Sequence, residues 1–170
     1  MKQLLGIFIL AVLSLFFAAP FSYAQSKAPA GSTESSSGQA VNLTAKAAVL
    51  IEGNSGEIIL EKNKDTELVP ASITKIMTAL LAMEYNQPDT QVTITEEDLS
   101  LEEGSQMSGL QVGDTVTMDQ LFHALMIYSA NDAAMAIARQ VGGSVDHFVQ
   151  MMNEKAASLA MTGTHFANPH

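Results

Sequence analysis

The chain has 170 residues, enough for one domain, with 18 acidic against 8 basic side chains and a formal net charge of −10. Such an acidic chain is poorly suited to gripping the phosphates of nucleic acid. There is no cysteine, so disulfides, thiol catalysis, thiolate-held metals and a lipid anchor on cysteine are excluded, and an ordinary packed core must carry stability.

The first residues, "MKQLLGIFILAVLSLFFAAPFSYAQ", place Lys2 ahead of an apolar run from Leu4 to Ala19, followed by the small residues Ser22 and Ala24. This layout predicts a secretory signal peptide over residues 1–24, cleaved after Ala24, and therefore an exported, extracytoplasmic protein. The apolar run is short for a spanning helix, which needs about 20 apolar residues. Residues 25–40, "QSKAPAGSTESSSGQA", are rich in Ser, Gly, Ala and Pro without apolar periodicity and read as a flexible tether.

The folded part, residues 41–170, opens with two β-prone runs, "KAAVLIE" and "EIILEKN", around the turn residues "GNSG", which predicts a hairpin. The run Ala47 to Ile51 is nearly continuous apolar, the pattern of a strand covered on both faces. Pro70 then disfavours helix at Val69, and a helix is expected from about Ser72 to Tyr85, with Ile73, Ile76, Met77, Leu80 and Leu81 as its buried stripe. "QVTITEEDL" holds an alternating strand. The acidic run "TEEDLSLEE" reads as solvated surface, and "SLEEGSQMSGLQVGD" reads as a loop with no assigned role.

Thr117 followed by Gln120 fits a capping box, so a helix should begin at Met118, with Leu121, Leu125 and Met126 as its apolar positions. The rhythm breaks at Tyr128–Asn131, resumes from Ala133 to Val141 and stops at Gly142 and Gly143. One more helix is expected between Ser144 and Gly163. His123, His147, His165 and His170 lack the short spacing of a metal site and read as ordinary histidines, while Met77, Met126 and Met135 read as core filler. No cofactor is expected.

Two polar constellations carry chemistry. Ser72 and Lys75 lie three residues apart at a helix start, so they share a face, and the hydroxyl sits where helix N–H groups favour developing negative charge. A lysine whose pKa is lowered by burial can take a serine hydroxyl proton, which makes the pair fit for acyl transfer. The only S-x-N, Ser129-Ala130-Asn131, falls at the polar break between two helical segments. It either presents a hydroxyl and an amide to a cleft or is a turn in which Ser129 caps the next helix.

Together "PASITKIMTALLAME", "YSANDAAMAIARQVGGS" and "GTHFANPH" resemble the serine-type D-alanyl-D-alanine carboxypeptidases, the low-molecular-mass penicillin-binding proteins. The resemblance runs from about Lys46 to His170 and implies an α/β (α+β) fold of the β-lactamase/transpeptidase-like kind, an antiparallel sheet flanked by helices. It implies Ser72 as the acyl-enzyme nucleophile, Lys75 as its general base, Ser129 as a proton relay to the leaving D-alanine, and Asn131 as the group that positions substrate and Lys75. The implied partners are peptidoglycan stem peptides ending in D-Ala-D-Ala and β-lactam antibiotics, with no nucleic acid. The family's K-T-G signature is absent, which reads as an N-terminal portion of the catalytic domain, ending before the later strands. Membrane association would come through the signal segment or through a C-terminal helix beyond this chain. The alternatives are a serine β-lactamase, which needs a deacylating glutamate where only Glu154 follows Asn131, and a non-hydrolytic penicillin-binding envelope module.

Overall fold

A strand pair and a helical block, with a second strand pair let into it, organise the computed structural model, which describes residues 42–170. Ala45–His170 form one compact unit. The expected signal peptide and most of the tether lie outside the described residues.

The predicted hairpin is β1, Ala48–Ile51, antiparallel to β2, Ile58–Lys62, with a register shift at Leu50/Ile51. Its turn is organised by Glu52, whose carboxylate accepts the backbone N–H groups of Asn54 and Ser55. The expectation that this strand is covered on both faces does not hold. Val49, Leu50 and Ile51 are about half exposed, because nothing in the described unit packs across them.

Pro70 leads into a 3-10 turn, Ala71–Thr74, and only then into helix α1, Lys75–Tyr85. The predicted helix is real, but Ser72 stands on the turn ahead of it. Its buried stripe also differs from the expected one. Ile73 and Ile76 are 66% and 60% exposed, while Met77, Thr78, Ala79, Leu81 and Ala82 face inward. The small residues Ala79 and Ala82 let neighbouring helices approach, and helix spacing is set by the side chains at the contact.

Strand β3, Gln91–Thr93, is shorter than the expected "QVTITEEDL" strand and gives way at Thr95 to a one-turn helix, α2, Glu96–Leu99. Thr95 and Asp98 form a capping box there. The acidic run is therefore not all solvated. Asp98 is fully buried, receiving Arg139 Nε at 2.9 Å and Nη2 at 2.7 Å in a two-pronged ion pair, while Nη2 also donates to the Thr93 carbonyl at 2.8 Å. β3 pairs antiparallel with β4, Thr115–Thr117, so the described residues hold two separate two-stranded ladders among the helices.

Helix α3, Met118–Ile127, starts where the capping box predicted, with Thr117 Oγ1 accepting the Gln120 N–H and Gln120 answering to the Thr117 N–H. Met126 lies on its exposed side and is not core filler. Helix α4, Asn131–Gly142, begins two residues earlier than expected and ends in Gly143 at φ 74°. Helix α5, Val145–Ser158, is capped by Ser144 Oγ and closes five residues before Gly163, the chain turning at Ala160 (φ 57°) instead.

The core has two parts. Ala79, Ala82, Val92, Ile94, Leu121, Leu125 and the Ala130–Ile137 face of α4 fill one. Met77, Leu81, Ala138, Phe148, Met152 and Phe166 fill the other. Helices α1 and α4 contribute to both, with α3 on one side and α5 on the other, so the N-terminal ends of these two central helices are rigidly held.

Candidate active site

The site grows from those two helix starts. Lys75, the first residue of α1, is only 4% exposed. Its Nζ donates to Asn131 Oδ1 at 2.6 Å and to Ser129 Oγ at 3.3 Å. Burial penalises the ammonium form and holds the lysine pKa below the usual 10.5. A neutral amine has two N–H groups and one lone pair. Two acceptors at Ser129 and Asn131 match the two N–H groups, which leaves the lone pair for a third polar group.

Ser72 is the candidate for that third group. It lies three residues before Lys75 on the 3-10 turn, where residues i and i+3 eclipse and so project to the same side. Its side chain is exposed and its hydroxyl makes no hydrogen bond within the described residues. The backbone carbonyl of Ser72 accepts the Lys75 N–H, which fixes the turn between the two residues. Just ahead, Ala71 holds φ 52°, a left-handed conformation that costs an L-residue about 1–2 kcal/mol.

The same strain recurs at Ser129, which holds φ 59° between α3 and α4. A residue in this position closes a helix, and glycine normally occupies it. Ser129 does not cap α4: the N-cap is Ala130, without a side-chain bond. The turn reading of the S-x-N stretch thus gives way to one in which the serine hydroxyl points at a buried lysine. Ala130 is fully buried and its N–H reaches back to the Ala124 carbonyl at 3.1 Å, locking the corner. Three of the four predicted residues, Lys75, Ser129 and Asn131, are thereby joined directly, and Ser72 stands one turn upstream.

Other residues surround the constellation that sequence reasoning did not single out. The Asn131 N–H donates to the Gln106 carbonyl at 2.7 Å, and the Asp132 carboxylate accepts from Ser108. Thr78, one turn beyond Lys75, gives its hydroxyl to the Pro169 carbonyl at 2.6 Å. That bond brings the segment ending at His170 against α1, and Asn153 secures it further through both backbone groups of Phe166. Burial, then the nearby Lys75 charge, push the His170 pKa down, against the opposing pull of Glu102. His170 had read as an ordinary histidine, and no spacing in the sequence ties it to Lys75. No group of three or more His, Asp or Glu fit to hold a metal occurs among the described residues.

Comparisons with known proteins agree on one family. The family model described as D-alanyl-D-alanine carboxypeptidase matches residues 33–170. The D-alanyl-D-alanine carboxypeptidase DacF of Bacillus subtilis is 34% identical over 99% of this chain and 42% of its own length. DacA of Escherichia coli is 34% identical over 75% of this chain and 34% of its own. Among solved structures, the D-alanyl-D-alanine carboxypeptidase DacD from Francisella tularensis superposes with a TM-score of 0.70 at 36% identity, covering 76% of this chain and 32% of that one. Penicillin binding protein 6B from Escherichia coli gives 0.69 at 31%, covering 76% and 44%. The chain therefore spans less than half the length of these relatives. With its helices and small antiparallel sheets in the arrangement of these structures, the chain belongs to the D-alanyl-D-alanine carboxypeptidase family.

Proposed function

We propose that this chain carries the nucleophile, base and proton relay of a serine-type D-alanyl-D-alanine carboxypeptidase acting on peptidoglycan stem peptides. The observation that supports it best is the buried Lys75 amine, held by Ser129 and Asn131 with its pKa lowered and with Ser72 one turn upstream. In this reading, neutral Lys75 takes the Ser72 proton as Oγ attacks the carbonyl of the penultimate D-alanine. The oxyanion formed is met by the Ser72 backbone N–H, which gains most when the charge is fully developed. As the peptide C–N bond breaks, the proton passes from Lys75 through Ser129 to the leaving amine of D-alanine. The Asn131 amide holds Lys75 in aim and binds the substrate backbone. Water then attacks the Ser72 ester and releases the shortened peptide, returning the proton to Ser72.

β-Lactams would acylate the same hydroxyl, since their ring presents an amide carbonyl to it. The site would work outside the cytoplasm in cell-wall synthesis and the maintenance of cell shape, with the N-terminal segment directing export and membrane association supplied there or by a later helix. A serine β-lactamase is less well supported, because Glu154, the only glutamate after Asn131, is exposed on α5. The test is release of D-alanine from a peptide ending in D-Ala-D-Ala by the full-length gene product. Release by the wild type and none by Ser72→Ala is the expected result. No release, with covalent penicillin labelling retained, would favour the non-hydrolytic module.

A further inference from the structure

The loop between α2 and β4 is fastened to the Ser129–Asn131 corner at two neighbouring points. The Gln106 carbonyl accepts the backbone N–H of Asn131 itself. Two residues on, the Ser108 N–H donates to both Asp132 oxygens at 3.0 Å, and its hydroxyl donates to Oδ2 at 2.8 Å. For Gln106, Met107 and Ser108 these are the only hydrogen bonds that reach the rest of the described protein. Gly104 and Gly109, at φ 86° and 89°, flank the fastened stretch as its two bends.

Asp132 is 0% exposed, and no lysine, arginine or histidine pairs with it among the described residues. Asp98, the other fully buried carboxylate, has Arg139. Burying a carboxylate without a cation is expensive unless several donors satisfy it. For Asp132 the donors are its own helix, through the Ala133 N–H at 2.9 Å, and the loop through Ser108. Such a group is better suited to fixing a position than to adding stability.

We infer that Asp132 and Ser108 form a positioning clamp that sets where the Asn131 amide stands and, through it, where the Lys75 lone pair points. The inference rests on the acyl-transfer reading above and names two residues that act through others rather than on substrate. With the clamp intact, the loop backbone and the first turn of α4 are one body, and Asn131 Oδ1 meets Lys75 at 2.6 Å. With it broken, the loop swings on its two glycines, the Asn131 N–H loses its fixed acceptor, and the amine loses its aim at Ser72. Misplacement of reacting groups by about 1 Å costs up to roughly a hundredfold in rate.

The test measures the second-order rate of acylation by a fluorescent penicillin, alongside thermal melting, for the full-length gene product and its Ser108→Ala, Ser108→Thr and Asp132→Asn variants. Ser108→Ala and Asp132→Asn should acylate roughly ten- to a hundredfold more slowly per folded molecule, while Ser108→Thr, which keeps the hydroxyl, recovers most of the rate. A clamp with only a structural role would lower the melting temperature and leave the rate per folded molecule unchanged. That result, or a threonine variant no faster than the alanine one, overturns the inference while leaving the acyl-transfer reading intact. Should Asp132→Asn fail to fold, the Ser108 pair decides alone. Absence of labelling in the wild type would instead overturn the acyl-transfer reading and the clamp with it.

Discussion

Lys75 is where sequence and chemistry meet most directly. Its spacing from Ser72 could be read from the chain, and so could the S-x-N stretch, but nothing in the order of residues says that a lysine amine will be 4% exposed and bonded to both ends of that stretch. Burial supplies the missing fact, and burial lowers the lysine pKa from 10.5. The sign for activity follows. Acylation requires the neutral amine, so its rate should rise with pH through the lowered pKa and level off before pH 10.5. The sign for stability is the same: the unfolded chain holds the extra proton between the lowered value and 10.5, so stability rises with pH across that window. A pH profile of penicillin acylation that still climbs log-linearly through 10.5 would contradict the assignment of Lys75 as base.

Among the elements, those with local signals were legible and those defined by their neighbours were not. The capping box at Thr117 and Gln120 fixed the start of α3 to the residue, because both bonds are made within one turn. The inward face of α1 was half legible: Met77 and Leu81 are buried where apolar periodicity put them, but periodicity marks large residues only. The helix also turns small residues inward, Ala79 and Ala82 into the cluster shared with α3 and α4 and Thr78 onto the Pro169 carbonyl, leaving Ile73 and Ile76 outside. Asp98 was lost in an acidic run because its partner Arg139 is 41 residues away. The pair Gly142–Gly143 had looked like a simple stop. Gly143 is that stop, at φ 74°, but Gly142 has another duty, since a Cβ there would sit 2.7 Å from the Phe148 backbone nitrogen. Gly142→Ala should therefore push α5 off α4 and cost about 1–3 kcal/mol in chemical denaturation, whereas a cost of a few tenths would show that α5 can simply shift.

At the scale of the whole molecule, the fold class was legible and the covering of its surfaces was not. The hairpin appeared where the turn residues put it, yet Val49, Leu50, Ile51, Ile58 and Ile59 remain substantially exposed, as do Ile73 and Ile76 on the next element. An exposed apolar strand pair that no third strand joins among the described residues is a template for pairing with another chain. Residues 25–170 expressed alone should self-associate, giving a sedimentation average that grows with concentration. A sharp, cooperative melt that is independent of concentration would show that the exposed hairpin is tolerated. No helix among the described residues is long and apolar enough to cross a membrane.

The proposed chemistry turns on the hydroxyl preceding α1 being the group that becomes acylated. Mass spectrometry of the full-length gene product after brief treatment with penicillin, digested and mapped, tests it most directly. A single adduct is expected, carried by Ser72 and lost in both Ser72→Ala and Lys75→Ala. An adduct on Ser129 or any other residue, or one at Ser72 that forms as fast without Lys75, would contradict it.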